Sequence, residues 1–182
     1  MKKVLKLLQQ FYFIYFKGRV AYARSIGVKV GSDCRLYIND FGTEPFLIEI
    51  GNKVTITSGV KIITHDGATW LINDKNARRF SYKKVIIGNH IFIGINSIIL
   101  PGTLIEDNVI VAAGSVVTKS IPTGVVVAGN PAKIIGSFEH YQQKAIQNFK
   151  SKRDWNNQKK FKENVLNLLD HEAKPFLKKP IA

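Results

Sequence analysis

The residues of this 182-residue chain best suited to moving a proton near neutral pH are its four histidines, His65, His90, His140 and His171. An unperturbed imidazole titrates near ~6.5, so it can take a proton from a hydroxyl and release it again. His65 has the setting for such work. It stands in Ile62-Ile63-Thr64-His65-Asp66, directly before a stretch, 67–84, unlike its surroundings in pattern. Asp66 could orient the imidazole, but an adjacent residue often faces elsewhere, and a carboxylate or carbonyl from another part of the chain is an equal alternative. No nucleophile candidate stands beside His65, so nothing calls for a covalent enzyme intermediate. The single cysteine, Cys34, excludes an intramolecular disulfide framework and a Cys-rich zinc module.

The elements that must position His65 follow a period of six. Ile87, Ile93, Ile99, Ile105, Val111 and Val117 recur at that interval without a miss, and four residues after each stand Ile91, Ser97, Thr103, Val109, Ser115 and Ile121. Upstream the phase returns in Ile50, Ile56 and Ile62, and weakly in Val30 and Leu36. Neither a 3.6-residue helix nor an alternating strand produces this period. A fixed short repeat predicts a solenoid, here a triangular coil of short strands whose Ile or Val points inward and whose corners carry small or turn-forming residues. Cys34 shares the slot of Ser97 and Ser115 and reads as an inward packing residue. His90 falls at a corner and reads as exposed and structural.

These segments resemble the hexapeptide-repeat acyltransferases. The resemblance rests on Ile62 to Asp66, on Val85-Ile86-Ile87-Gly88-Asn89-His90-Ile91-Phe92-Ile93-Gly94, on Ile98 to Gly102 and Gly114 to Lys119, and on Val127-Ala128-Gly129-Asn130-Pro131-Ala132-Lys133. It covers about residues 26–136 and points to the sugar O-acetyltransferase branch. It implies a mainly β fold, a left-handed parallel β-helix, assembled as a homotrimer with active sites between subunits and with acetyl-CoA as donor. It places the catalytic base at His65 and an acceptor-contacting residue at Asn39. It implies that Gly94, Ala112, Ala113 and Gly114 let the donor's pantetheine arm approach the main chain, with Thr118, Lys119 and Lys133 near its nucleotide end, where ammonium groups neutralise phosphate. The γ-class carbonic anhydrases share such a coil but need a close pair of zinc histidines, which this chain lacks; no metal is expected.

Between Gly67 and Lys84 the period disappears, so this segment must leave the coil as an excursion. Trp70 and Phe80 would be unusual in an idle surface loop. In the family such a loop walls the active site, and Trp70 is a candidate acceptor contact. The domain reading is therefore a basic N-terminal helical segment over 1–25, the coil over 26–136 with its excursion 67–84, and a basic helical extension over 137–182.

Twenty-seven Lys and Arg against 13 Asp and Glu give a net charge of +14, concentrated at the two ends. Residues 1–24 carry six basic residues and no acid. Their helical pattern, with Val4, Leu5, Leu7, Leu8, Phe11 and Tyr12 on one side, fits either peripheral contact with an anionic membrane or a cap on the open end of the coil. No apolar run reaches the roughly 18 residues of a spanning helix, and Phe11 to Phe16 falls short of a signal-peptide core of about 7–15. The chain reads as cytoplasmic, with the inner face of the membrane as the peripheral option. The C-terminal basic residues carry no nucleic-acid recognition motif and read as a solvated face, with a helical apolar stripe over 161–169.

The reading is an acetyl-CoA-dependent O-acetyltransferase acting on a small-molecule or glycan acceptor, a sugar hydroxyl in surface-polysaccharide biosynthesis. His65 is its general base, and the hydroxyl attacks the thioester directly. The alternatives are N-acetylation of a nucleotide-linked amino sugar, O-acetylation of an antibiotic or serine, and a non-catalytic β-helix serving as a binding or scaffold subunit.

Overall fold

In the computed structural model, the residues at the sixfold phase from Ile87 to Val117 are buried to 1% exposure or less. Their companions four residues on, from Ile91 to Ile121, are buried as well. The structure describes residues 7–8, 10–72, 75, 77–170 and 172–175, so Val4, Leu5 and His171 lie outside the described residues. The chain divides into two compact units, Met1–Gln142 and Gln143–Ala182.

The first unit is built from strands mostly two residues long, β-branched at the inward position, where a stiff χ1 suits a pleated and packed surface. They are β1 (Lys29–Val30), β2 (Arg35–Leu36), β3 (Ile48–Ile50), β4 (Thr55–Ile56), β5 (Lys61–Ile62), β6 (Val85–Ile87), β7 (Phe92–Ile93), β8 (Ile98–Ile99), β9 (Leu104–Ile105), β10 (Ile110–Val111), β11 (Val116–Val117), β12 (Val125–Ala128) and β13 (Lys133–Ser137). They form three parallel faces, β1-β3-β6-β9, β2-β4-β7-β10-β12 and β5-β8-β11, with β13 added antiparallel to β12. Ile87 pairs with Ile105, Ile93 with Val111 and Ile99 with Val117, each 18 residues on, so one turn of the coil is three hexapeptides. Each buried Ile or Val stacks on its counterpart in the next turn, and full burial of such a side chain is worth about 1.5–3 kcal/mol.

The corners explain the small residues. At one corner a side-chain ladder climbs the coil: Asn52 Oδ1 accepts from Ser32 N–H, Asn89 Oδ1 from Asn52 N–H, and Asp107 Oδ1 from Asn89 N–H, at 2.7–2.8 Å. Gly88 sits inside this ladder, where a Cβ would lie 2.5 Å from Asp107 Oδ1. His90 follows at φ +56°, an exposed corner residue. The inward hydroxyls are also satisfied locally. Ser97 Oγ donates to Gly94 O at 2.8 Å and Ser115 Oγ to Ala112 O at 2.7 Å, so neither leaves a buried polar atom unpaired. Cys34, in the same slot, is half-buried against the core with Sγ 3.1 Å from Gly51 O.

Two departures from the 18-residue turn shape the molecule. Val30 pairs with Ile50 and Leu36 with Ile56, 20 residues on, so the first turn carries two extra residues. Ile50 pairs with Ile87, Ile56 with Ile93 and Ile62 with Ile99, 37 residues on, because the excursion intervenes.

The N-terminal segment is not one uninterrupted helix. Its first part ends in a π-helical turn, Phe13–Lys17, and Gly18 at φ +86° breaks the run before helix α1 (Arg19–Ser25). Helix α1 caps the coil: Ala23 is fully buried, Val20 and Ile26 pack on the core, and the Arg24 guanidinium donates to Val30 O and Gly31 O. Those carbonyls lie at the edge of the coil's first turn, which a solenoid must cover. Helix α2 (Phe138–Asn148) begins in the first unit. In the second, helix α3 (Phe161–Leu168) follows, and here the apolar stripe is not what is buried. Val165 and Leu166 are exposed, while Asn164 is buried, donating to Asn156 O and Lys159 O and accepting from Asn156 N–H.

Candidate active site

His65 stands where the coil is left and rejoined. The outgoing and returning chains pair: Lys83 N–H donates to Thr64 O at 2.8 Å, Asp66 N–H to Ser81 O at 3.0 Å, and His65 bridges Tyr82 in antiparallel fashion. This short ladder fixes the backbone at the base of the excursion. Cation–π contacts tie described residues of the excursion to one another on its exposed side. The Arg78 guanidinium lies 5.0 Å from the Trp70 ring and 4.8 Å from the Phe80 ring. Phe80 stacks on Tyr82 at 6.0 Å, and Tyr82 lies 6.2 Å from the imidazole of His65. Trp70 is thus linked to His65 only through Arg78, Phe80 and Tyr82, and is itself 70% exposed.

The group on His65 is Glu44, a residue with no motif of its own. Its Oε2 lies 2.9 Å from His65 Nδ1 and accepts from Thr64 Oγ1 at 2.7 Å, while Oε1 accepts from Thr43 Oγ1 at 2.6 Å. Asp66 serves elsewhere: its carboxylate accepts from Ala68 N–H at 2.9 Å and caps the 3₁₀ turn Gly67–Leu71. The Thr43 hydroxyl first, then those of Thr64 and the imidazole of His65, hold the Glu44 carboxyl below its ordinary range against the opposing effect of burial. An ionised carboxylate only accepts hydrogen bonds, so Nδ1 carries the hydrogen in this pair. In the neutral ring Nε2 is then the unprotonated nitrogen, and among the described residues no hydrogen bond engages it. The imidazole, 43% exposed at its side chain, opens on a groove of about 530 Å³ whose walls include Ser81, Lys83, Leu100, Pro101 and Thr118. The arrangement is an imidazole with a fixed tautomer at the edge of an open groove.

Of the remaining sequence candidates, Thr118 shares this groove with His65. Gly94 and Ala112 to Gly114 occupy the corner at the opposite edge of the β5-β8-β11 face. Gly94 is demanded there by the coil: a Cβ would lie 2.4 Å from Ala113 N of the next turn. Ala113 and Gly114 are exposed, Gly114 at φ +70°. Lys119, after β11, and Lys133, opening β13, are exposed. Asn39 is tied to the cap, its Oδ1 accepting from Arg19 Nε at 3.0 Å.

Glu44 was missed in sequence because it lies 21 residues before His65 in a segment without repeat phase. The available signal was the phase itself: Thr43-Glu44 falls within the turn that carries two extra residues, and an acid in such a bulge beside the histidine's own corner is a candidate partner.

Comparison with known proteins bears on the same region. Residues 84–119 match the family described as hexapeptide repeat of succinyl-transferase. The chain is 51% identical over 154 residues to Protein CapG of Staphylococcus aureus, an alignment that spans 79% of this chain and 90% of that one. It is 31% identical over 116 residues to the galactoside O-acetyltransferase of Escherichia coli K12, across 64% of this chain and 57% of that one. Among solved structures, a maltose O-acetyltransferase from Clostridium difficile 630 matches with a TM-score of 0.60 at 26% identity, covering 74% of this chain and 84% of that one.

Proposed function

Because the chain belongs to the hexapeptide-repeat acyltransferases, enzymes built on a left-handed parallel β-helix, we propose that it transfers the acetyl group of acetyl-CoA to a sugar hydroxyl, with His65 as general base and Glu44 as its positioning partner. The observation that carries this reading is the Glu44–His65 pair, which leaves Nε2 as the proton acceptor at the groove. The hydroxyl oxygen attacks the thioester carbonyl carbon while Nε2 takes its proton. The new C–O bond forms, the C–S bond breaks, and the imidazolium returns the proton to the departing thiolate, releasing CoA. No acyl-enzyme intervenes.

A sugar acceptor is favoured by the exposed aromatic run Trp70, Phe80 and Tyr82 beside His65, whose flat faces suit a pyranose ring, and by the sugar acetyltransferases among the relatives. A precursor of surface polysaccharide is the acceptor class we favour. The donor lies along the β5-β8-β11 face in this reading, between the Ala112–Gly114 corner and Thr118, with Lys119 and Lys133 toward its phosphates. The groove is completed by a second subunit of a homotrimer.

The test is an acceptor screen with acetyl-CoA, following thiol release over monosaccharides, oligosaccharides and nucleotide-linked amino sugars. Sugar-dependent thiol release, with an acetyl product cleaved by mild base, is the expected result. A base-stable amide product would move the activity to N-acetylation. Failure of the protein to bind acetyl-CoA at all would leave the coil a scaffold. Light scattering checks the assembly, and a fully active monomer would overturn the shared site.

A further inference from the structure

The break at Gly18 divides the N-terminal segment into two parts with different surroundings. Helix α1 is spent on the coil, as described, through Ala23, Val20, Ile26 and Arg24. The part before Gly18 is spent along one side only, where Gln10, Phe13 and Ile14 are half-buried and Gln10 borders a cavity with Tyr22, Ile26 and Thr43. Leu7, Phe11 and Tyr15 form one row at four-residue spacing and Leu8, Tyr12 and Phe16 the row beside it. All six are 49–72% exposed. Within the rows the rings pair with each other, Phe11 with Tyr15 at 4.5 Å between centroids and Tyr12 with Phe16 at 5.7 Å. A contiguous exposed patch of this kind marks an interaction surface.

The charge around it selects the partner. Residues 1–24 contain Lys2, Lys3, Lys6, Lys17, Arg19 and Arg24 and no acidic residue. Two copies meeting symmetrically through a segment with no acidic residue would bring like charges together, whereas an anionic surface supplies the opposite sign; Arg24 is already spent on the coil. Phenol rings and lysines with apolar stems are the side chains that settle at a headgroup boundary. Among the described residues no helix is long and apolar enough to cross a membrane, so the segment would lie along the surface.

We propose that residues 7–17 dock this protein on an anionic lipid surface, with the aromatic rows in the headgroup boundary and the flanking lysines on lipid phosphates, while α1 caps the coil. The two roles open to an N-terminal helix are thereby divided at Gly18.

The experiment is cosedimentation of the full-length protein with vesicles of equal phosphatidylglycerol and phosphatidylcholine, and with phosphatidylcholine alone, alongside light scattering. The protein should sediment with the anionic vesicles and be released by added salt. Replacing Lys2, Lys3, Lys6 and Lys17 by Gln should weaken partitioning roughly fivefold per lysine. Phe11→Ser with Tyr15→Ser and Phe16→Ser should abolish it without changing the oligomeric mass. Unmodified protein that ignores anionic vesicles overturns the proposal without need of any variant. So does a serine variant of altered oligomeric mass, which would make the face a contact between subunits.

Discussion

Replacing Glu44 by Gln tests the site at the contact that only the folded chain provides. The side chain keeps its length and one carbonyl oxygen, but loses the charge and gains an N–H₂ group that cannot accept from Nδ1. A hydrogen bond to a charged group contributes about 1.5–3 kcal/mol, against about 1 kcal/mol for a neutral one. Glu44 is 15% exposed at its side chain, so water screens this difference only in part. If the surviving carbonyl still accepts from Nδ1, the loss is about 0.5–2 kcal/mol, or roughly 2–30-fold in kcat at one decade per 1.36 kcal/mol. If the amide turns its N–H₂ toward the ring, Nδ1 becomes the acceptor, Nε2 carries the hydrogen, and the base is lost, for a fall of about 10²–10⁴-fold. Steady-state kinetics with a verified acceptor separates the cases. In both, KM for acetyl-CoA stays nearly unchanged, because the substitution leaves every proposed donor contact, from Ala112 to Gly114 and at Thr118, Lys119 and Lys133, in place. Wild-type kcat in Glu44→Gln, with assembly and melting temperature intact, would refute the view that the carboxylate fixes the tautomer.

Three further outcomes are expected. His65→Ala should lower kcat by about 10²–10⁴-fold with acetyl-CoA affinity nearly unchanged; wild-type turnover in an intact assembly would make His65 structural. Gly94→Ala should lower the melting temperature in calorimetry, since its Cβ would meet backbone of the next turn at 2.4 Å, an overpacking cost of about 1–3 kcal/mol; a changed acetyl-CoA KM with an unchanged melting temperature would show that this glycine serves only the donor. Stability should fall in acid: Asp40, Glu44 and Glu49 all have carboxyls held low, by Lys61 foremost, by Thr43 foremost and by Lys84 foremost. A lowered folded-state value means a contribution present above the ordinary carboxylate range and lost as pH drops below about 4 through those values. Melting temperatures measured across that window should decline, and a flat profile would contradict the three pairings.

The coil was readable in the chain because its determinants repeat and are local. Each hexapeptide carries its own inward Ile or Val, its own small second residue and its own corner, so that Ile87 to Val117 announce the same unit six times. The break at 67–84 was readable for the same reason, as a loss of phase, and the family pattern placed attention on His65 before it. What stands beside His65 is a different kind of fact. Whether Asp66, Glu44 or a carbonyl meets Nδ1 depends on how the two extra residues of the first turn fold and on the ladder through Ser81 and Lys83 that rejoins the excursion. The phase marks where the extra residues fall, but no local pattern encodes which side chain they bring to the imidazole. The same holds for Gly94, whose need for a missing Cβ comes from Ala113 one turn away, and for the aromatic residues before Gly18. Their helical pattern is local, but whether they cover the coil or stand free is decided by where the chain breaks and what α1 already occupies. Periodicity reports forces acting between near neighbours, while side-chain partnership across turns is set by register, which the tertiary fold alone decides.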